Sequence, residues 1–294
     1  MSPGELFGQR ILSIPQPGPG RDPVSNAAAA PAPRSTALRP RDLTVTRAVI
    51  GVVLALTLLF AVSDLLRPAA HPHVAVCVPA RLLRTALIAG LAWYTGRRGV
   101  DRVDTTLVAL AMLTALIGDI FLVAQGALLA GMASFAGVQV LLALRHRRVI
   151  LVRKRQSVPW WPIGLAFVMS AAVWGMIFPI LATSPLLVPF TAFLALLTLS
   201  LGLAWGQVIR GGWQDANDLE AALGMTCFYL CDVSYGVCSA LFNAQLPGAV
   251  LARAAVDVFY TPALLLLVLS AHSWPVGFSR WLGSEDADHA QARA

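Results

Sequence analysis

Long apolar segments separated by short polar stretches occupy most of the chain after its first 45 residues. Eight of them are candidates for helices that cross a bilayer, which takes about 20 apolar residues each. We predict these helices over residues 46–65, 74–94, 104–123, 131–144, 160–181, 186–208, 219–242 and 249–270, of which the fourth is the shortest. The pattern therefore predicts an all-α fold, a polytopic membrane bundle of about eight transmembrane helices.

The two ends of the chain lack this pattern. Residues 1–43 are rich in Pro, Ala, Gly and Arg and have no apolar periodicity. This composition predicts a disordered cytoplasmic N-terminal tail rather than a signal peptide. Residues 44–275 form the predicted transmembrane domain, and residues 276–294 form a polar C-terminal tail.

Composition supports a membrane location. The chain of 294 residues is 57% hydrophobic and only 13% charged, whereas soluble domains have about 25% charged residues. Its net charge of +7 comes from basic residues concentrated in alternate loops, as expected for eight helices with both termini in the cytoplasm. The strong preference for Arg over Lys indicates a GC-rich coding genome. We expect a multipass protein of the bacterial inner (plasma) membrane. No basic and aromatic motif indicates a nucleic-acid partner.

Two carboxylates lie well inside predicted helices. Asp119 is in the apolar segment 115–125, and Asp232 is in the apolar segment 223–239. A charge at the centre of a membrane helix costs at least ~2.5–3.5 kcal/mol on insertion scales. Acids at this depth are therefore candidates for function, and the other helices are interpreted as the structure that holds them.

Further ionisable residues fall in the same outer half of the predicted domain. Arg81 and Arg84 are on the second helix, and Arg253 and Asp257 are on the eighth. Because charges inside membranes pair or line wet spaces, these residues and the two acids predict one polar cavity. Three structural alternatives stay open. They are an i,i+4 pair of Arg253 and Asp257, snorkelling of the two helix-2 arginines towards the interface, and Arg–Asp pairs that only stabilise the bundle.

Helical spacing adds other side chains to this cavity. Asp257 and Tyr260 share one face of the eighth helix, and Cys231, Asp232 and Tyr235 share one face of the seventh. The cysteines suit apolar packing, with a metal or redox site on the seventh helix as the open alternative. No His or Cys motif has the spacing of a metal site, and we expect no cofactor.

Short motifs in the third, fourth, seventh and eighth helices occur in a recognisable order. They are Gly118-Asp119-Ile120-Phe121-Leu122 with Gly131 and Phe135 after it, then Gly224-x3-Phe228-x2-Cys231-Asp232, and finally Phe259-Tyr260. In these motifs the chain resembles the YhhN/TMEM86 family of multipass membrane proteins. The resemblance covers the second to eighth helices and implies an eight-helix bundle.

Four positions depart from the pattern of that family. Cys231 replaces the Ser before the second Asp, and Gln139 falls near the position of a frequent His. Val78 stands in place of the Lys of a Lys-Pro step, and Ala263 falls near an expected Gln. The resemblance therefore implies the fold more firmly than it implies the same substrate.

Characterised members of the family are lysoplasmalogenases. The resemblance thus implies a membrane hydrolase that cleaves the vinyl ether bond of a lysophospholipid, with Asp119 and Asp232 as the catalytic acid and base. An arginine near them would bind the substrate phosphate, since a guanidinium fits a phosphate well. The predicted substrate-binding residues are Arg81, Arg84, Tyr235, Asp257 and Tyr260.

Two other functions fit the same residues. Acids and arginines at membrane depth also occur in small-molecule or proton-coupled transporters. A non-catalytic member of the family that binds lipid would also fit the four motif changes. The sequence carries no signal for the headgroup of the substrate or for the oligomeric state.

Overall fold

The computed structural model describes residues 40–66, 77–96, 101–152, 160–211, 216–243 and 249–271. All of these residues belong to one compact unit. The two predicted tails, residues 1–43 and 276–294, lie outside the described residues, apart from residues 40–43 at the start of the first helix.

Eight α-helices make up most of the described part of the chain, in the order that the apolar segments predict. They are α1 (Pro40–Leu66), α2 (Cys77–Gly96), α3 (Arg102–Asp119), α4 (Leu128–Val152), α5 (Trp161–Leu181), α6 (Leu187–Gly211), α7 (Ala216–Asn243) and α8 (Ala249–Leu269). A π-helical turn, Ile120–Ala124, follows α3 directly and is called the π-turn below. The all-α fold class is confirmed.

Several stretches are suited to crossing a membrane. Five are long and apolar enough, namely Leu43–Ser63, Arg102–Ala124, Leu128–Arg148, Trp161–Leu181 and Leu187–Ile209, and Ala254–Leu269 is a shorter apolar helix. Outside this set, α2 carries Arg81 and Arg84, and α7 carries Asp232. The chain is a multipass membrane protein.

The helices contact one another in a connected order. α8 packs against α7 and α1, α3 lies against α2 and α4, and α6 packs against α4, α5 and α7. Glycine permits the closest crossing of α5 and α6, because a Cβ atom added to Gly202 would lie 2.7 Å from the Cα atom of Ile163. Small residues at such crossings are typical of membrane helices.

Ion pairs tie the start of α3 to the end of α4. The Nε and Nη2 groups of Arg145 donate to the two carboxylate oxygens of Asp104 at 2.8 and 3.0 Å. Its Nη1 group donates to the Ser270 hydroxyl, just after α8, at 2.9 Å. We call this region the Arg145 end of the bundle, and the region where α3 meets the π-turn the Asp119 end.

These pairs explain the largest difference from the predicted bounds. The sequence predicted that the fourth helix ends at residue 144, because a run of basic residues usually marks a loop. Instead α4 has 25 residues and continues through Arg145 and Arg148 to Val152. Arg148 pairs with Asp101, so both arginines have carboxylate partners on α3 or directly before it.

Candidate active site

The helix that carries Asp119 changes geometry at that residue. α3 ends at Asp119, and in the π-turn that follows the Gln125 N–H donates to the Ile120 carbonyl at 3.1 Å. Gly126 then has a φ of +65°, a left-handed conformation that glycine adopts readily, before α4 begins. Single π-turns are rare and frequently lie at functional sites.

The carboxylate of Asp119 is held between two other helices. The Thr85 hydroxyl of α2 donates to its Oδ2 atom at 2.6 Å, and the Tyr260 hydroxyl of α8 donates to the same atom at 3.0 Å. Only 6% of Asp119 is exposed. Both hydroxyls fix the direction of the carboxylate, since each is itself anchored on a packed helix.

A second carboxylate, Asp257, binds two arginines. The Nη2 group of Arg81 donates to its Oδ2 atom at 2.7 Å, and the Nη1 group of Arg84 donates to its Oδ1 atom at 2.9 Å. Arg84 also lies over the ring of Tyr260, with its guanidinium carbon 5.2 Å from the centroid. Asp257 is therefore enclosed by two cations and belongs to the same site as Tyr260.

We call these six residues the acid–arginine cluster: Arg81, Arg84, Thr85, Asp119, Asp257 and Tyr260. The two arginines differ in exposure, with 21% of the Arg81 side chain and 4% of the Arg84 side chain accessible. Both guanidinium groups share the Asp257 carboxylate, and Arg84 also lies close enough to Asp119 for electrostatic interaction. Arg81 is the cation of the pair that is better placed to meet a ligand.

Three aromatic rings form the inner wall of the cluster. The centroids of Phe135, Phe228 and Tyr260 are each 6.2 Å from the other two, in edge-on arrangements. Gly118 makes room for this group, because a Cβ atom there would lie 3.0 Å from the ring of Phe135. The Gly118-Asp119 step thus lets one ring pack against α3 next to the buried carboxylate.

The two candidate residues Cys231 and Asp232 face different surroundings. Cys231 is buried in the core and lies close enough to Asp119 and Arg84 for electrostatic interaction. Asp232 instead lines a small cavity between α5, α6 and α7, together with Val173, Phe190, Phe193, Leu194, Leu197 and Val233. Its Oδ2 atom is inaccessible to solvent and has no hydrogen-bond partner in the part of the chain that the structure describes.

The structure brings five of the predicted site residues together: Arg81, Arg84, Asp119, Asp257 and Tyr260. It places Asp232 in the cavity beyond α7, and Tyr235, on the same helix, is 39% exposed. Snorkelling does not describe Arg84, because its side chain is buried and paired. The side chain of Arg253 lies outside the described residues.

The sequence did not indicate one hydrogen-bond partner of Asp119, and it did not indicate that α1 contributes to the site. Thr85 was not singled out, although it follows Arg84 directly and is one helical turn after Arg81. From α1, the ring of Phe60 lies 5.5 Å from the guanidinium carbon of Arg84. Neither residue is charged, so the search for charges at membrane depth could not find them.

Among the described residues, no group of three or more His, Cys, Asp or Glu side chains could hold a metal ion. The fold and the acid–arginine cluster define a multipass membrane protein whose buried carboxylates and arginines meet at one end of the helix bundle.

The model of one family, the YhhN family, matches residues 78–271, well over half of the chain. The chain belongs to the YhhN family, and the match includes every residue of the acid–arginine cluster. No curated protein and no solved structure matches the chain.

Proposed function

We propose that the protein is an integral membrane hydrolase that cleaves the vinyl ether bond of a lysophospholipid, as a lysoplasmalogenase does. The observation that carries the proposal is the Asp119 carboxylate, buried and oriented by Thr85 and Tyr260 beside the arginine pair. Membership of the YhhN family supports the same reaction class.

The reaction needs a proton donor and a second group that orients the attacking water. A proton is added to the alkene carbon that is not bonded to the ether oxygen, and the positive charge that forms on the other alkene carbon is shared with that oxygen. Water then adds to the cationic carbon and loses a proton. The resulting hemiacetal collapses to a fatty aldehyde and a glycerophospho-alcohol, so one water is consumed for each bond cleaved. Two carboxyl groups suit these steps, because one can give a proton while the other stabilises positive charge.

Asp119 is proposed to stabilise the cationic carbon and to orient the attacking water. Two hydroxyl donors already fix one of its oxygens, so the carboxylate does not have to reorganise during the reaction. Asp232 is the proposed proton donor, because its buried Oδ2 atom has no hydrogen-bond partner among the described residues to stabilise a negative charge. Since its cavity is on another face of α7, its part in the reaction requires its own test.

The phosphate of the substrate is proposed to bind Arg81. This arginine is partly accessible, whereas Arg84 is buried between the rings of Phe60 and Tyr260. Asp257 then acts by positioning both guanidinium groups and does not itself need to touch the substrate. The acyl-like chain would lie among the exposed apolar side chains of the helices.

The proposal is tested by aldehyde release from the purified full-length chain in detergent. Lysoplasmalogen should yield aldehyde, and the saturated alkyl ether with the same headgroup should not. Asp119→Asn should reduce the rate about 100-fold or more, since acid–base groups contribute on the order of 10²–10⁴. Asp101→Asn, which makes the same chemical change outside the cluster, should leave the rate within a factor of about two. Equal rates in Asp119→Asn and the wild type would contradict the proposal.

A proton-coupled transporter is the second candidate, and the separate cavity of Asp232 favours it. Buried carboxylates away from a reactive cluster are typical of ion coupling in transporters. Radiolabelled lysophospholipid would then enter proteoliposomes chemically unchanged and depend on Asp232. Aldehyde release without uptake would instead support the hydrolase.

A further inference from the structure

Polar atoms without partners lie along one inner face of α4. Gln139 is fully buried, and neither its Oε1 nor its Nε2 atom has a hydrogen-bond partner within the described ranges. His146 is also fully buried, and its Nδ1 atom lies 2.8 Å from Oε1 of Gln207 in α6. The Nε2 atom of His146 has no partner among the same residues.

These two side chains share a direction. They are seven residues apart, which is about two turns of an α-helix, so both face the interior from the same side of α4. Buried amide and imidazole groups in native proteins are almost always hydrogen-bonded to protein or to ordered water. Because the described protein atoms do not supply those hydrogen bonds, we infer that ordered water molecules supply them.

The register between α4 and α6 relates Gln139 to another buried polar group. His146 and Gln207 are both in the last two turns of their helices and are 61 residues apart, so the two helices run in the same direction. The same offset sets Gln139 level with Ser200, which is fully buried and donates to the Met225 sulfur at 3.7 Å. A buried hydroxyl and a buried amide at one level can both hydrogen-bond to an ordered water molecule.

Other side chains of interest lie along the bundle in both directions from Gln139. One turn towards the Asp119 end lies Phe135, whose ring packs against Tyr260 of the acid–arginine cluster. At the Arg145 end, on α7, the Oε2 atom of Glu220 is buried and has no partner in the described part of the chain. Glu220 is close enough to Arg145 for electrostatic interaction. Polar positions thus recur from the Arg145 end to the inner wall of the candidate active site.

We propose that Gln139, His146 and Glu220 bind a file of ordered internal water molecules, running along α4 from the Arg145 end to the aromatic wall below Asp119. The inference does not depend on the proposed function, because it rests on the buried polar atoms alone. If the protein is a hydrolase, the file also supplies the water that each turnover consumes to a site otherwise surrounded by lipid.

Radiolytic labelling of the full-length protein in lipid nanodiscs tests this directly. A short X-ray pulse makes hydroxyl radicals from bound water, so only side chains close to water are oxidised. Met225 is the reporter, since it is fully buried and contacts the Ser200 hydroxyl level with Gln139. Mass spectrometry should find Met225 oxidised in the wild type, and at least threefold less oxidised in Gln139→Leu. Labelling of the exposed Met176 should be the same in both proteins.

Val138→Ala is the matched control, because residue 138 is the fully buried neighbour of Gln139 on α4 and its change removes no polar atom. It should keep the labelling of Met225, although the loss of buried methyl groups lowers its melting temperature. Gln139→Met replaces Gln139→Leu if the leucine variant does not fold. An unlabelled Met225 in the wild type, or equal labelling in the wild type and the Gln139 variant, would overturn the inference. Either outcome is independent of aldehyde release, so failure of the file and failure of the hydrolase are distinguishable.

Discussion

Arg84 and Asp257 form an ion pair inside the protein, with 2.9 Å between Nη1 and Oδ1 and only 4% and 5% of their side chains exposed. The same carboxylate accepts a hydrogen bond from Arg81 at 2.7 Å. Pairs of this kind contribute little when complete, but losing one partner leaves a buried charge that nothing compensates. The carboxylate of Asp257 is therefore a structural requirement of the candidate active site.

Asp257→Asn should destabilise the protein by about 3–5 kcal/mol, because it leaves two arginines without their shared carboxylate. The measurement is reversible denaturation in lipid nanodiscs. Adding Arg84→Met to this variant should recover part of the loss, since the second change removes the more deeply buried cation. A double variant that is no more stable than Asp257→Asn would argue against an uncompensated charge.

Tyr260→Phe removes the hydroxyl that donates to Asp119 and keeps the ring that packs against Phe135 and Phe228. A hydrogen bond to a charged group contributes about 1.5–3 kcal/mol, which corresponds to roughly 10- to 150-fold in rate. We expect kcat for aldehyde release to fall by that factor while KM changes little. Thr85→Val should act in the same way through the second hydroxyl. Full activity in both variants would contradict the proposal that Tyr260 and Thr85 position Asp119.

Asp232→Leu and Asp232→Asn separate stability from activity at the second acid. The side chain lines an apolar cavity, and its buried Oδ2 atom has no hydrogen-bond partner among the described residues, so Leu should be tolerated and should not lower the melting temperature. If Asp232 is the proton donor, both variants lose aldehyde release by about 100-fold or more. A folded Asp232→Leu protein with wild-type activity would assign this carboxyl to another function.

Asp101 links stability to pH at the Arg145 end. Its Oδ1 atom accepts from the Val103 N–H at 2.9 Å, and its Oδ2 atom pairs with Arg148. These contacts, the backbone one first, lower the pKa of Asp101 from its ordinary value of 3.8. The charged form is thus favoured by folding, so the stabilisation is present above about pH 4 and is lost as the pH falls through the lowered pKa.

The melting temperature of Asp101→Ala should therefore differ from that of the wild type more at pH 7 than at pH 3. The measurement is thermal melting of both proteins across that range. Asp101→Asn is the useful comparison, since an amide still caps the helix but carries no charge. A difference that stays constant with pH would mean that the cap alone, and not the charge, stabilises this helix start.

Much of the fold and of the acid–arginine cluster could be predicted from the sequence. Apolar runs of helical length mark each helix, and charged residues inside them are few enough to be informative. The partners Arg81, Arg84 and Asp257 were predicted to share a cavity with Asp119, because buried charges seek each other. An ionisable residue inside a membrane helix is energetically costly, so each of these residues indicates a partner or a function.

The surroundings of Asp232 could not be predicted in the same way. Neighbouring positions on a helix differ by about 100° in direction. The spacing of Cys231 and Asp232 therefore does not decide whether their side chains share one environment. Only the packing of the other helices around α7 decides this. Here the carboxyl of Asp232 lines a cavity with α5 and α6, whereas the thiol of Cys231 lies within electrostatic reach of Arg84, Asp119 and Asp257. The helical end of α4 was missed for a related reason, since its acidic partners are on α3 and directly before it.

The π-turn after Asp119 determines how the chain can change in length at this point. A π-helical turn holds one residue more than an α-helical turn, so deleting one residue of Ile120–Ala124 would leave a continuous α-helix. Residues before the deletion would keep their contacts with Thr85 and Tyr260, whereas those after it would rotate by about 100°. A change of length at this turn would thus remodel the connection to α4 while Asp119 stays anchored to α2 and α8.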